Sequence, residues 1–359
     1  MANAVTTHMA RTYVQEAPAP MALSSLFTSD ARNYYSSEKI EFDIEREGEE
    51  IAPVLTDIKN GNTKFALDEY TNKEFLAPVI KEEFTLNAFD MIKRQAGQIS
   101  FTDPVFRANA MTQFMKHMRY GGKRQRRTIE LMAAQILQTG TVTLKDDKGA
   151  DVYKIDFKPK ATHFPTSATA WTDAANCTPV QDLESLADAI HTDGQSMPDR
   201  AIFGKAAWQN FIRSDEVKSL MDNRRITIGG VDPETPRPGL RYMGYIDLTG
   251  YRLNLYTYKG EYKDIGASVN SRYVEDNNVI VLSENMRLDA TWGAIPQIVP
   301  PETRAMSFLS GRMAMASVGM DFTTNAWVSL NGESITGSLG SRPLLIPTSI
   351  DRFGCLTTA

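Results

Sequence analysis

Cysteine, histidine and long apolar runs are scarce in this sequence, and each scarcity removes a class of function. Two cysteines, Cys177 and Cys355, are widely spaced among 359 residues. They make neither a disulfide framework nor a thiolate metal cluster, and they suit a reducing compartment. The four histidines, His8, His117, His163 and His191, include no pair at the i, i+4 spacing of a helical zinc site. Packing or surface roles are expected of them, and no metal. No stretch approaches the ~18 apolar residues of a membrane span, and no charged region followed by an apolar run marks a signal peptide. Asn176-Cys177-Thr178 matches a glycosylation sequon formally, but nothing else points to secretion. The chain reads as soluble and made in a cytoplasm. Walker A loops, dinucleotide glycine fingerprints and nucleophile elbows are missing too. That excludes the common enzyme classes, so no catalytic residue and no cofactor is expected. Scattered acidic residues could still converge in a pocket that sequence does not reveal.

Excess positive charge is also lacking. The formal charge is -5. Tight DNA binding needs clustered cations to displace counterions, so a wall that encloses nucleic acid without gripping it fits better. An ordinary cytosolic protein fits the charge as well.

What is present is a clear order of elements. Residues 1 to 38 show no sustained periodicity, and Pro18 and Pro20 favour an extended path. This is either a disordered tail or an arm that orders on a neighbouring subunit, with Leu23, Leu26 and Phe27 as its docking residues. In Lys39 to Arg46, Ile40, Phe42 and Ile44 alternate with Glu41, Asp43 and Glu45, the pattern of a strand with one apolar and one acidic face. A second strand is expected at Lys81 to Asn87, and Asn60-Gly61 between them favours a hairpin turn. Residues 39 to 88 therefore read as one nested β-ribbon. A two-stranded ribbon buries too little to stand alone, so arm and ribbon are expected to pack mainly on other subunits.

Asp103-Pro104 opens a helix, as N-cap and first helical residue. Met111, Phe114, Met115 and Met118 form one apolar stripe, and Ile129, Met132, Ala133, Ile136 and Leu137 another. The stripes are in phase at 3.6 residues per turn, so one helix from about 105 to 139 is predicted, ended by Gly140. Gly121 and Gly122 mark a kink, a break or a close backbone contact within it. A hairpin follows, at Thr141 to Leu144 and Val152 to Phe157. Leu183, Leu186 and Ile190 predict a helix, Ala201 to Phe203 a strand, and Trp208 to Met221 a further helical segment. Pro233, Pro236 and Pro238 place residues 229 to 239 in a loop. Leu253, Leu255 and Val279 to Leu282 read as strands, and the chain from Met306 onward as strand-like again.

The one concentrated charge feature is Lys123-Arg124-Gln125-Arg126-Arg127. No aromatic lies among its basic residues, which weakens a nucleic-acid reading. A solvated helix face is favoured. The alternative is an inter-subunit interface in which Lys123, Arg124, Arg126 and Arg127 receive the ribbon's Glu41, Asp43 and Glu45.

The succession of arm, ribbon, long helix, hairpin, α/β region and closing strands resembles the lambda-type major capsid protein family (phage major capsid protein E). Tyr35-Ser36-Ser37-Glu38-Lys39-Ile40 looks like the start of the family's extended E-loop, and Asp103-Pro104-Val105-Phe106-Arg107 like the opening of its spine helix. Glu130 to Gly140 with Thr141-Val142-Thr143-Leu144 resembles the end of that helix and the next hairpin. Arg342-Pro343-Leu344-Leu345-Ile346-Pro347 resembles the closing segment. The Gly121-Gly122 pair departs from a smooth spine.

The resemblance implies an α+β, Hong Kong 97-like capsid fold. Its parts would be an N-terminal arm (1–38), an E-loop β-ribbon (39–88), a P-domain (89–181), an A-domain (182–300) and closing strands (301–359). It implies a tailed-bacteriophage subunit that forms hexamers and pentamers of an icosahedral head. Scaffold, portal and a cement protein would be its partners, and packaged double-stranded DNA its content, with no membrane. A soluble enzyme and a cellular encapsulating shell of the same fold are the competing readings. Convergent titratable groups in a deep pocket would favour the first, a cargo enzyme the second.

Overall fold

The computed structural model describes residues 21–30, 33–35, 37, 39–44, 71–87, 103–222, 239–295, 297–299, 314–316, 321–329 and 333–358. Its longest element is helix α1, Asp103–Thr139. At 37 residues it is roughly 56 Å long. Gly140, at φ +65°, ends it in the left-handed conformation. Asp103 is already helical, so the helix starts one residue earlier than the expected N-cap.

The helix runs unbroken through Gly121 and Gly122, and Gly121 meets the chain at close range. A Cβ on Gly121 would lie 3.0 Å from Leu339 Cδ1 and 3.4 Å from a Glu82 carboxylate oxygen. Of the readings of this pair, a break is ruled out and close contact holds at Gly121. The two apolar stripes share a phase but enter different cores. Phe114 and Met118 pack with Leu86 and Leu339. Met132, Ala133, Ile136 and Leu137 belong to the main core.

That main core lies under a five-stranded sheet. Its spatial order is Phe353–Thr357, Asn278–Ser283, Pro198–Phe203, Arg252–Tyr258, Leu240–Asp247. Only Pro198–Phe203 and Arg252–Tyr258 run parallel. Ile202, Ile280, Leu282, Phe353 and Cys355 join the core containing the C-terminal half of α1. Ala201, Phe203, Leu253, Leu255, Val279 and Val281 join a second core. Helices α2 (Pro179–Gly194) and α3 (Lys205–Arg213) supply that core with Leu183, Leu186, Ile190, Ala207 and Phe211. The sheet is thus covered on both faces, which explains the unbroken apolar run at Val279–Leu282. The segment expected to be one helix to Met221 is two, because α3 ends at Ser214 before α4, Asp215–Asp222, begins. The Ser214 hydroxyl bonds the Phe211 carbonyl and receives the Val217 N–H, tying the corner.

The ribbon differs from expectation in its pairing. Lys39–Ile44 pairs antiparallel with Thr71–Leu76, not with Lys81–Asn87. The latter, as Ile80–Asn87, pairs with Ser334–Ser341 in a sheet completed by Thr323–Val328. The reason is burial. Phe84 packs on Phe114 with ring centroids 5.1 Å apart, so this strand belongs over the N-terminal half of α1. The Asn60-Gly61 turn, Glu45 and the loop from 229 to 238 lie outside the described residues, as do His8 and the first 20 residues.

Leu23 and Phe27 were expected to dock on a neighbour, and they dock on their own chain. Leu23 is fully buried and Phe27 nearly so, both in the main core, with Leu26 packed against it. Thr28 bridges to Asp289, and Tyr34 stacks on Trp292 at 5.3 Å. An apolar anchor that finds a core within reach of its own strands gains the burial without a partner.

Gly121→Leu should lower stability by about 1–3 kcal/mol, since Leu339 and Glu82 leave no room for a branched side chain. The urea midpoint of the variant measures this.

Candidate assembly interface

Glu130 lies within the apolar stripe of α1 and is fully buried. Its Oε1 accepts the backbone N–H of Ala22 at 3.2 Å and of Leu23 at 3.0 Å. Its Oε2 accepts that of Ser24 at 2.8 Å. The Tyr258 hydroxyl donates to Oε1 at 2.6 Å. Three successive N–H groups make a small anion-binding nest, and here a side-chain carboxylate fills it. Burial, then the nearby Glu130 charge, push the Tyr258 phenol well above its usual range, which keeps it a donor. One carboxylate therefore joins the arm, the long helix and the strand Arg252–Tyr258.

Three glutamines on α1 extend this pattern. Gln125 Nε2 donates to the Leu339 carbonyl at 3.2 Å, across the Gly121 contact. Gln135 bonds both backbone groups of Thr143 in the hairpin Thr141–Lys145/Asp151–Asp156. Gln138 donates to Tyr273 O at 2.8 Å and accepts from Glu275 N at 2.9 Å and Asn278 Nδ2 at 3.1 Å.

The base of the ribbon is held just as firmly. Ile40 and Ala77 are buried in the main core. The Tyr153 hydroxyl donates to Leu76 O at 2.6 Å. Buried Arg342 donates through Nε to Ala77 O and through Nη1 to Ala294 O, both at 3.1 Å. The base of the paired strands Lys39–Ile44 and Thr71–Leu76 is therefore fixed to the body.

The expected charged residues fall into two groups. Arg124 is engaged within its own chain, 3.3 Å from Glu82. Burial raises the Glu82 carboxyl, and the Arg124 charge opposes that shift. Arg126 lies over the Phe322 ring, 5.3 Å from its centroid. Lys123 and Arg127 are exposed on α1, and so is Lys116 two turns earlier. Gln125, in the middle of the basic run, is fully buried, so the run is not a uniformly solvated face. On the ribbon, Glu41 stands opposite Glu74 and Asp43 opposite Asn72. Sequence reasoning missed Glu74, Glu82, Glu130 and Arg342. A signal existed for Glu130, a lone acid on a helical face otherwise apolar. Nothing in the sequence marked the other three.

Several chemistry-bearing residues elsewhere are structurally occupied. His163 is buried with Nδ1 2.9 Å from Phe353 O and Nε2 3.0 Å from Asp193. Lys160, then His163, hold the Asp193 carboxyl below its ordinary range. His117 stacks on Phe84 at 5.4 Å. Cys177 and Cys355 are buried free thiols, both pushed up by burial. Among the described residues no three His, Cys, Asp or Glu side chains gather as metal ligands. A polar groove beside the strands Glu261–Lys263 and Asn270–Arg272 is crossed by Arg272, which pairs with Asp276 at 2.6 Å. No described helix is long and apolar enough to cross a membrane.

Residues 6–353 match the sequence family phage major capsid protein E. The chain belongs to that family. Its residence is accordingly the virion capsid. No curated protein matches it in sequence. Among solved structures, the capsid protein of a prophage of E. coli CFT073 superposes with a TM-score of 0.63 at 16% identity, covering 100% of this chain and 99% of the other. That likeness shows a Hong Kong 97-like capsid fold. A phage-related protein from Bordetella bronchiseptica RB50 gives 0.47 at 12% identity, covering 98% of this chain and 97% of that one. An encapsulin complex from Synechococcus elongatus PCC 7942 gives 0.40 at 9%, covering 98% and 94%. Scores this low add nothing to the argument.

Glu130→Gln puts an amide NH2 among four donors and should cost roughly 3 kcal/mol. Tyr258→Phe should cost about 1–3 kcal/mol by removing one donor. Urea midpoints measure both, and hydrogen exchange at Ala22 to Ser24 should accelerate in the first variant.

Proposed function

We propose that this capsid protein builds the icosahedral head of a tailed phage, as hexamers and pentamers around double-stranded DNA. The observation that carries the reading is the family match over residues 6–353. Helix α1 would be the spine helix, residues 89–181 the P-domain and 182–300 the A-domain, with 301–359 as closing strands. The E-loop would be the ribbon closed by Lys39–Ile44 and Thr71–Leu76, shorter than the 39–88 expected from sequence. Scaffold and portal would act during assembly in the host cytoplasm, and a cement protein would clamp the finished shell. The DNA would be enclosed without sequence-specific binding, in keeping with the formal charge of -5. No catalytic step is assigned to the chain.

Negative-stain microscopy of the purified protein tests this. Closed shells or six-fold capsomers are expected, and monomers at all concentrations would refute it.

Cohesion between subunits should be non-covalent, since both thiols are buried. Boiled particles on a denaturing gel should give one band near 40 kDa. A ladder of multiples would show a covalently linked shell instead.

A further inference from the structure

We propose that His163 is held as a doubly protonated imidazolium and works as a pH-sensitive latch, tying the connector after the hairpin to α2 and to the C-terminal strand Phe353–Thr357. The proposal concerns the chain itself and does not rest on the shell reading.

The His163 ring is fully buried, and each of its nitrogens faces an oxygen that accepts. Nδ1 lies 2.9 Å from the Phe353 carbonyl, which has no proton to give. Nε2 lies 3.0 Å from Asp193 Oδ2. A neutral imidazole carries one N–H, so it would satisfy one oxygen and set a lone pair against the other. A proton on Asp193 would relieve that clash, but Lys160 Nζ stands 2.7 Å from Oδ1 of the same group. Lys160, then His163, hold this carboxyl below its ordinary range, so it stays ionised. The second proton therefore sits on the ring. Both bonds are then charge-assisted, in a site where an unmet polar group is costly.

The surroundings suit a cation. Asp193 stands in the last turn of α2, at the helix end that favours positive charge. Arg352 is turned away, donating to the Gly194 and Asn285 carbonyls. Asp351 lies with its backbone against Gly194. His191, also on α2, meets the Tyr251 ring edge-on. The strand Phe353–Thr357 contributes no charged side chain. Asp193 is thus the carboxylate that Lys160 and His163 share.

The latch sits where the connector begins to follow the end of the chain. A Cβ on Gly354 would lie 2.6 Å from the His163 carbonyl, so turn and strand are in close contact. Just beyond, Thr357 N–H donates to Pro165 O at 3.0 Å and Ser167 N–H to Thr357 O at 2.8 Å. The latch is closed between two titrations. Acid opens it by neutralising Asp193, below the ordinary carboxylate range because that group is shifted downward. Alkali opens it by taking the second proton from the ring.

Full-length chain labelled with 15N in its histidine rings tests the charge. At about pH 7 the signal that His163→Gln removes should be that of a ring with protons on both nitrogens. Asp193→Asn should convert the same signal to a ring with one proton, because an amide donates as well as accepts. That variant identifies the signal should the glutamine variant fail to fold. Lys160→Gln should leave the ring doubly protonated. Hydrogen exchange, corrected for the intrinsic rate, tests the latch. Between about pH 6 and about pH 9, protection of the Ser167 and Thr357 amides should fall about tenfold, and Asp193→Asn should abolish most of that change. A ring with one proton at about pH 7 overturns the proposal. So does a ring that keeps both protons to about pH 9, or protection that is unchanged once the second proton is lost.

Discussion

A carboxylate buried in the C-terminal half of a 37-residue helix is the constraint on which the rest depends. Glu130 in isolation would be too costly to bury. It is tolerated because Ala22, Leu23, Ser24 and Tyr258 donate to it. Those four donors come from segments more than 100 residues away from it. The desolvation of one charge therefore enforces a three-way junction that apolar packing alone would leave free to slide. Gln125, Gln135 and Gln138 repeat the principle with neutral groups, each fixing one more segment to the same helix.

That arrangement lets a single rod carry two cores with different duties. The C-terminal half of α1 lies under a sheet covered on both faces, and it is dense with contacts of its own chain. The N-terminal half packs on a smaller cluster, Leu86, Phe114, Met118 and Leu339. The exposed cations Lys116 and, past the midpoint, Lys123 and Arg127 ride on the same rod. For a shell subunit this means that surface charges keep their spacing, which long flexible side chains on a loop would not do.

Periodicity made the elements legible. The in-phase stripes predicted α1 across its glycine pair, and the apolar run at Val279–Leu282 predicted a buried strand. Pairing was less legible. Ile80–Asn87 alternates as a ribbon strand would, and nothing local says that its partner is Ser334–Ser341 and not Lys39–Ile44. The cis docking of Leu23 and Phe27 was hidden for the same reason. Apolar residues announce burial without naming the surface that buries them. The basic run can be read directly in the sequence, but only tertiary structure shows that Arg124 is engaged by Glu82 and Arg126 by Phe322.

The pairing of Ile80–Asn87 with Ser334–Ser341 also sets a clock. Leu86 stands opposite Ile335, about 250 residues downstream. At ~5–20 residues per second, a ribosome needs roughly 10–50 s to supply that partner. Throughout the wait Phe84 and Leu86 have an apolar face and an open strand edge, the conditions under which nascent chains stick to one another. Lys81, Glu82 and Glu83 at the start of the strand are the kind of flanking charges that discourage such pairing. A protein that assembles with copies of itself needs that protection more than most, because the strand edges it meets can be those of its own unfinished copies.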